Sequence, residues 1–170
     1  MTATKVSKEQ LSTFFAEEFP QADIIVDAVG NKSATLRKAI DHRHLRPGGT
    51  VSGPTLRAVA DAALYAAILG EIGLVALAVT TNLNINFLRK PAADRDVIAE
   101  CQLIKVGKVL IIGEVSLYSE GMDEPVAHVV GTYSVPPRRG YLIVAPKNRR
   151  NLRNPLIFRG SRRLAACGDT

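Results

Sequence analysis

The pattern of apolar and polar positions divides the chain into two predicted helices and six predicted strands. Residues 7–18 carry apolar side chains at helical spacing, with Ser7 placed to cap the helix and Gln10 three residues further on. A second helix is predicted for about residues 54–69, where the run LRAVADAALYAAIL is apolar around most of its circumference. We expect such a helix to be buried on nearly all sides.

Short segments rich in β-forming residues predict the strands. They cover residues 22–30, 33–40, 76–88, 97–106, 109–118 and 125–135. Alternation in the third segment predicts an apolar face of Thr81, Leu83, Ile85 and Phe87 and a polar face of Thr80, Asn82, Asn84 and Asn86. The order of elements predicts an α+β fold in which a curved antiparallel sheet covers one long central helix.

Composition describes a globular chain without a disulfide framework. The 170 residues are 46% hydrophobic and 22% charged, which is enough apolar material for the core of one domain. Two cysteines, Cys101 and Cys167, indicate a reducing compartment, and we expect a cytoplasmic location. Neither a signal-peptide stretch nor an uncharged apolar run of about 18 residues is found, so no membrane partner is expected.

The positive charge of the chain is concentrated near its C-terminus. Residues 1–137 hold 13 basic and 15 acidic residues, whereas residues 138–170 hold nine basic residues and one acidic residue. We therefore predict a single domain over residues 1–137 and a basic extension over residues 138–170. Because the predicted domain has a net charge of −2, a nucleic-acid partner is not expected.

Asp61 and Gly53 are the first candidate site residues. A carboxylate in the middle of an apolar helix is costly unless it is paired or used, and an ion pair with Arg57 four residues earlier is one alternative. Gly53 follows a glycine-rich loop and could present a free backbone N–H at the helix start to an oxyanion. The two lie about 12 Å apart along the helix axis, so a symmetric dimer would be needed to bring them together.

Two longer phrases resemble a known family. The sequences HLRPGGTVSGPTLRAVAD, residues 44–61, and TTNLNINFLRKP, residues 80–91, are similar to the hotdog-fold acyl-CoA thioesterases of the PaaI type. The resemblance covers about residues 20–136. It implies a hotdog fold, a homodimer with a continuous sheet that often pairs into a tetramer, and hydrolysis of an acyl-CoA thioester at the dimer interface. It implies neither a metal nor a cofactor.

The resemblance also implies roles for individual residues. Asp61 matches the catalytic carboxylate, which acts as nucleophile or general base, and Gly53 matches the glycine whose N–H polarises the thioester carbonyl. Thr80 falls near a strand hydroxyl that helps to position the water, with Thr81 one residue away. The chain departs from the family at Ser52, Arg46 and Pro54, which replace a histidine, an asparagine and a glycine. These departures leave a non-catalytic acyl-CoA-binding hotdog protein as the alternative function.

Basic and polar residues complete the set of expected substrate contacts. Candidates for the phosphates of CoA are Arg89, Lys90 and Lys108, and further candidates for substrate binding are Ser52, Arg46, Thr81 and Asn82.

The remaining chemically active side chains carry weaker hypotheses. His42 and His44 could ligate a metal, but no acidic or cysteine partner stands at a useful spacing, so no metal site is expected. His128 is predicted to be a core or interface histidine, and Cys101 a small hydrophobic residue. Hydratase chemistry ranks lower because residues 54–70 contain no histidine.

Overall fold

A long central helix lies against a six-stranded antiparallel sheet in the computed structural model, which describes residues 4–136. The helices are α1 (Lys8–Glu18) and α2 (Gly53–Ile72). The strands are β1 (Ile25–Gly30), β2 (Ser33–Lys38), β3 (Leu45–Arg46), β4 (Thr50–Val51), β5 (Val79–Phe87), β6 (Val97–Val106), β7 (Leu110–Ser119) and β8 (Ala127–Ser134). The large sheet has the order β1-β2-β6-β7-β8-β5, and α2 contacts all six of its strands. The predicted α+β architecture is confirmed.

Both predicted helices are present, with boundaries set by their caps. In α1 the Ser7 hydroxyl accepts a hydrogen bond from the Gln10 N–H at 3.3 Å, and the Gln10 side chain accepts one from the Ser7 N–H at 2.9 Å. The central helix is longer than the predicted 54–69, because Ser52 caps it one residue earlier and it continues to Gly73, whose φ of 106° ends it. The prediction missed the small hairpin of β3 and β4 inside the glycine-rich loop.

A pair of glycines in the sheet makes room for the central helix. Gly113 of β7 and Gly131 of β8 are direct partners, and both lie beneath Leu64 of α2. A methyl group on Gly113 would stand 2.8 Å from Cδ2 of Leu64, and one on Gly131 would stand closer still to Cδ1. Leu64 is fully buried. The helix can therefore approach the sheet closely only because these two positions have no side chain.

A β-bulge near the start of β5 changes which side chains face the helix. Thr80 is opposite Tyr133 and Asn82 is opposite Thr132, so Thr81 is an extra residue on this strand. The inward-facing Tyr133 is 3% exposed, and its partner Thr80 therefore faces the helix as well. The predicted faces of β5 are wrong at its first residues, because a strict alternation does not allow for the extra residue.

Two sequence-based expectations concern features outside the sheet and helices. The predicted basic extension at residues 138–170, with Cys167, lies outside the described residues. None of the helices within residues 4–136 combines the length and the apolar character that crossing a bilayer requires.

We expect Gly131→Ala to destabilise the fold by about 1–3 kcal/mol, because the added methyl group overlaps Leu64. Denaturant unfolding of Gly131→Ala, Leu64→Ala and the double variant would measure this effect. The double variant should lose less stability than the two single variants together, since removing the leucine side chain relieves the overlap. Strict additivity would contradict the proposed contact.

Candidate active site

Asp61 lies on α2, half-buried, with one carboxylate oxygen held by two hydroxyl groups. Its Oδ1 accepts hydrogen bonds from Thr80 Oγ1 and from the Tyr133 hydroxyl, each at 2.7 Å. Within residues 4–136, no side chain donates a hydrogen bond to Oδ2, and Asp61 forms no ion pair with the exposed Arg57. The structure therefore brings Asp61 and Thr80 together, as the family resemblance implies and the predicted strand faces do not, and it does not form the alternative ion pair.

Tyr133 is the site residue that sequence reasoning missed. It points inward from β8, directly opposite Thr80, and its ring stacks on that of Tyr65 with centroids 6.2 Å apart. Burial, followed by the nearby charge of Asp61, raises the pKa of Tyr133 well above its usual range. Its hydroxyl therefore stays protonated and able to donate. Only the strand pairing reveals this contact, because Asp61 and Tyr133 are 72 positions apart in the sequence.

Two cavities with aromatic walls open beside Asp61. One, of about 430 Å³, runs along α2 and includes Phe19, Lys38, Tyr65 and Tyr133 in its lining. The other, of about 450 Å³, is bounded by Phe14, Glu18, Phe19, Tyr65, Val79, Thr80 and Tyr133 among others. An apolar group could thus rest next to the carboxylate.

Gly53 begins α2 with a backbone N–H that no group within residues 4–136 accepts. Pro54 has no N–H, and the Thr55 N–H is directed to the Ser52 hydroxyl at 3.4 Å, so Gly53 offers the open donor at this helix end. A side chain on Gly53 would lie 3.1 Å from the Phe87 ring. A side chain here would crowd the Phe87 ring, whereas the glycine leaves the N–H accessible to a small acceptor.

A third cavity, of about 480 Å³, opens at Gly53 and is rimmed by basic residues. Arg46, Arg89 and Lys90 line it together with Phe87. Arg89 is engaged by Glu124 at 2.7 Å, and Arg46 donates to the Thr50 hydroxyl at 3.2 Å. Within the described part of the chain Lys90 has no ion-pair partner. The structure thus groups three of the predicted basic and polar contacts around Gly53.

Other predicted contacts lie elsewhere in a single chain. Ser52 acts as the helix cap, with its hydroxyl 2.8 Å from that of Thr55. The Thr81 hydroxyl donates to the Thr132 carbonyl at 3.1 Å, and Asn82 lies on the outer face of the sheet, away from Asp61. Lys108 is exposed in the β6–β7 turn, at the end of the sheet where β5 begins.

Asp61 and Gly53 line different cavities of the same chain. The Asp61 end of the site is beside Thr80 at the start of β5, and the Gly53 end is beside Phe87 at its finish. This separation agrees with the helix rise of about 1.5 Å per residue. Since β5 is an edge strand of the sheet, both halves of the site lie along an open edge.

The weaker candidates take structural roles. His44 accepts a hydrogen bond from the Asp41 N–H at 3.0 Å, and no group of three metal-ligating side chains occurs in residues 4–136. His128 lies on the outer face of the sheet, 3.2 Å from Glu114, and is not a core residue. Cys101 is buried as predicted, and this burial raises its pKa to about 12.

Comparison with known proteins places this chain in a family. Residues 48–126 match the model of the thioesterase superfamily. A candidate thioesterase from Silicibacter sp. TM1040 is 44% identical, with 79% of this chain and 94% of that chain covered and a TM-score of 0.73. No curated protein matches the chain.

More distant solved structures share the fold. The PaaI protein from the phenylacetic acid degradation operon of E. coli is 20% identical over 76% of this chain and 93% of its own, with a TM-score of 0.68. A hypothetical thioesterase from Streptococcus pneumoniae TIGR4, solved with coenzyme A, is 14% identical over 77% of this chain and 98% of its own, with a TM-score of 0.62. The predicted resemblance to hotdog-fold thioesterases of the PaaI type is confirmed. The chain belongs to the thioesterase superfamily.

Proposed function

We propose that the protein is an acyl-CoA thioesterase in which Asp61 activates the attacking water. The observation that carries the proposal is the state of Asp61: it is half-buried on the central helix, two hydroxyls hold one of its oxygens, and it lines cavities large enough for an acyl group. Thioester hydrolysis needs a base for water and a donor for the developing oxyanion. Asp61 and the Gly53 N–H are groups of these two kinds, and neither a metal nor a cofactor is needed.

The reaction can be written with these groups alone. Asp61 accepts a proton from water as the water oxygen bonds to the thioester carbonyl carbon. The carbonyl oxygen gains the negative charge and accepts a hydrogen bond from the Gly53 N–H. The C–S bond then breaks, and the departing sulfur takes the proton from Asp61, which yields CoA thiol and the free acid. Direct attack by the Asp61 carboxylate on the carbonyl carbon, with later hydrolysis of the anhydride, uses the same two groups.

The separation of Asp61 from Gly53 supports a site shared between two subunits. If two copies of the edge strand β5 pair in antiparallel fashion, the Thr80 end of one strand lies against the Phe87 end of the other. Exposed apolar side chains stand near both ends, Leu77 and Val79 at one and Phe87 and Leu88 at the other. Such a homodimer would place Asp61 beside the partner's Gly53. Further pairing into a tetramer stays a prediction, as does a cytoplasmic location.

The basic rim at Gly53 is suited to the phosphates of CoA. Arg46, Arg89 and Lys90 surround the cavity into which the Gly53 N–H could direct the thioester. Lysine and arginine side chains are the usual partners of phosphate groups. In the proposed dimer, Lys108 of one subunit would lie at the same end of the interface as the Phe87 end of the other subunit's β5.

One observation favours the alternative of a non-catalytic acyl-CoA-binding protein. The Ser52 hydroxyl, which stands where the family carries a histidine, is occupied by Thr55 at the helix cap and is not free to orient a thioester. Hydrolysis experiments separate the two functions.

We expect Asp61→Asn to lower kcat on acyl-CoA thioesters by about 100-fold or more, because an amide cannot accept the proton from water. The measurement is release of free thiol from short, medium, long and aryl acyl-CoA thioesters. Glu71→Gln is the matched control, since it makes the same change on the same helix away from the site cavities and should keep the wild-type rate. Full activity in Asp61→Asn would reject the mechanism, and binding without turnover by the wild type would establish the alternative function.

Two inactive variants should restore activity when they share a dimer. Gly53→Pro removes the N–H, and the extended backbone of the preceding Ser52 (φ −73°, ψ 150°) suits a residue before proline. In a mixed dimer with Asp61→Asn, one of the two shared sites is intact, so the isolated mixed dimers should have about half of the wild-type activity.

Gly53→Ala is the control for this experiment. It adds a side chain beside Phe87 as proline does but keeps the N–H, and it should therefore retain more activity than Gly53→Pro. The two defective chains are co-expressed with different tags, and the doubly tagged dimers are assayed. Mixed dimers with no activity would show that the site is not divided between subunits.

We expect Lys90→Gln to raise KM for acyl-CoA by about two- to fivefold, because one exposed charge contact with phosphate is lost. KM for the same acyl group on N-acetylcysteamine, which has no phosphate, should be unchanged. Lys105→Gln on β6 provides a control of equal charge outside the cavity. An equal rise in KM for both thioesters would argue against phosphate binding at this rim.

A further inference from the structure

We propose that Tyr133 is a positioning residue that fixes Oδ1 of Asp61 and so leaves Oδ2 as the oxygen that takes the proton from water. The inference rests on the proposed thioesterase function and adds a residue to it. It also gives Thr80 a role in holding the carboxylate, because the Thr80 hydroxyl donates a hydrogen bond to Oδ1.

The geometry at Asp61 is asymmetric. The Tyr133 and Thr80 hydroxyls both donate to Oδ1 at 2.7 Å, and within residues 4–136 no side chain donates to Oδ2. The last torsion of an aspartate side chain is broad and nearly two-fold, so the two oxygens exchange easily unless something distinguishes them. Two donors on one oxygen make that distinction, and they leave the acceptor sites of Oδ2 open.

Tyr133 is the more rigid of the two donors. It is 3% exposed in the interior strand β8, whereas Thr80 is exposed on the edge strand. The Tyr133 ring stacks on Tyr65, and Tyr65 in turn contacts the rings of Phe14 and Phe15 from α1. The hydroxyl also stands 3.1 Å from the main-chain oxygen of Asp61, which ties it to the helix backbone as well as to the side chain.

The direction of these hydrogen bonds also orients a water molecule. Because burial raises the pKa of Tyr133, its hydroxyl donates throughout the pH range in which the protein would act. The Thr80 proton is likewise committed to Oδ1, so Thr80 Oγ1 can only accept a hydrogen bond from water. A water that donates one hydrogen bond to Thr80 Oγ1 and the other to Oδ2 of Asp61 would direct its lone pairs away from the carboxylate.

The test is Tyr133→Phe, which removes the hydroxyl and keeps the ring. We expect kcat to fall about tenfold or more while KM stays within about twofold, because orientation is lost and substrate contacts are kept. In an Asp61→Asn background, measured by single turnover at high protein concentration, Tyr133→Phe should cause no further loss. A purely structural role would lower the rate by the same factor in both backgrounds.

Two controls separate this role from general damage. Tyr118→Phe removes a hydroxyl from the outer face of β7 and should leave kcat unchanged. If Tyr133→Phe does not fold, as judged by thermal unfolding, Thr80→Val removes the other donor to Oδ1 and should lower kcat severalfold with KM unchanged. Thr132→Val on the outer face is its matched control.

The outcomes distinguish this proposal from the one on which it rests. Hydrolysis by the wild type, its loss in Asp61→Asn and a Tyr133→Phe rate within about twofold of the wild type would overturn the role of Tyr133 and leave the thioesterase in place. An equal loss in both backgrounds would also overturn it, as would a wild-type kcat in Thr80→Val. Absence of hydrolysis of every acyl-CoA by the wild type would overturn both proposals.

Discussion

The packing of Leu64 over two glycines sets the depth of the central helix, and the candidate site depends on that depth. Asp61 lies one turn before Leu64, on the side that faces β8 and β5. Its 2.7 Å hydrogen bonds to those strands require a helix that lies close to the sheet. Gly113 and Gly131 allow this approach because a side chain at either position would meet Leu64. The packing of the core therefore determines whether the polar groups around Asp61 can reach one another.

The polar groups around Asp61 stabilise a carboxylate without neutralising it. Hydroxyl donors offset part of the cost of removing a charge from water, and they bring no opposing charge to the carboxylate. Lys38 lines one of the same cavities, but its ammonium group donates to the carboxylate of Asp23 at 2.9 Å and to the carbonyls of Ala22 and Asp23. The nearby cation is thus occupied by other acceptors. Such an environment suits a base in a largely apolar cavity.

The parts of the site that the sequence predicted are those that conflict with their local surroundings. Asp61 is conspicuous because it interrupts an apolar helix, and Gly53 because it follows a glycine-rich loop and precedes Pro54. Both signals lie within a few residues of the site residue itself. The central helix was also predicted from a local signal, since its composition favours helix at every turn.

The parts that were missed depend on long-range pairing. Tyr133 is an ordinary aromatic residue in an alternating strand until β8 is aligned with β5. The inward orientation of Thr80 depends on the bulge at Thr81, which no periodicity within the strand reveals. Ser52 is a different case, because its spacing from Thr55 is a local signal for a helix cap. The resemblance to the family indicated instead only that a histidine is replaced at this position.

The division of Asp61 and Gly53 between separate cavities would link catalysis to association in the proposed dimer. A thioester bound across the interface of that dimer would contact two chains and would have no complete site on an isolated chain. By mass action, such a ligand would stabilise the dimer, by about 2.7 kcal/mol when it is present at about 100 times its dissociation constant. Substrate supply would then control the amount of assembled enzyme, and dilution would lower activity more steeply than in proportion to protein concentration.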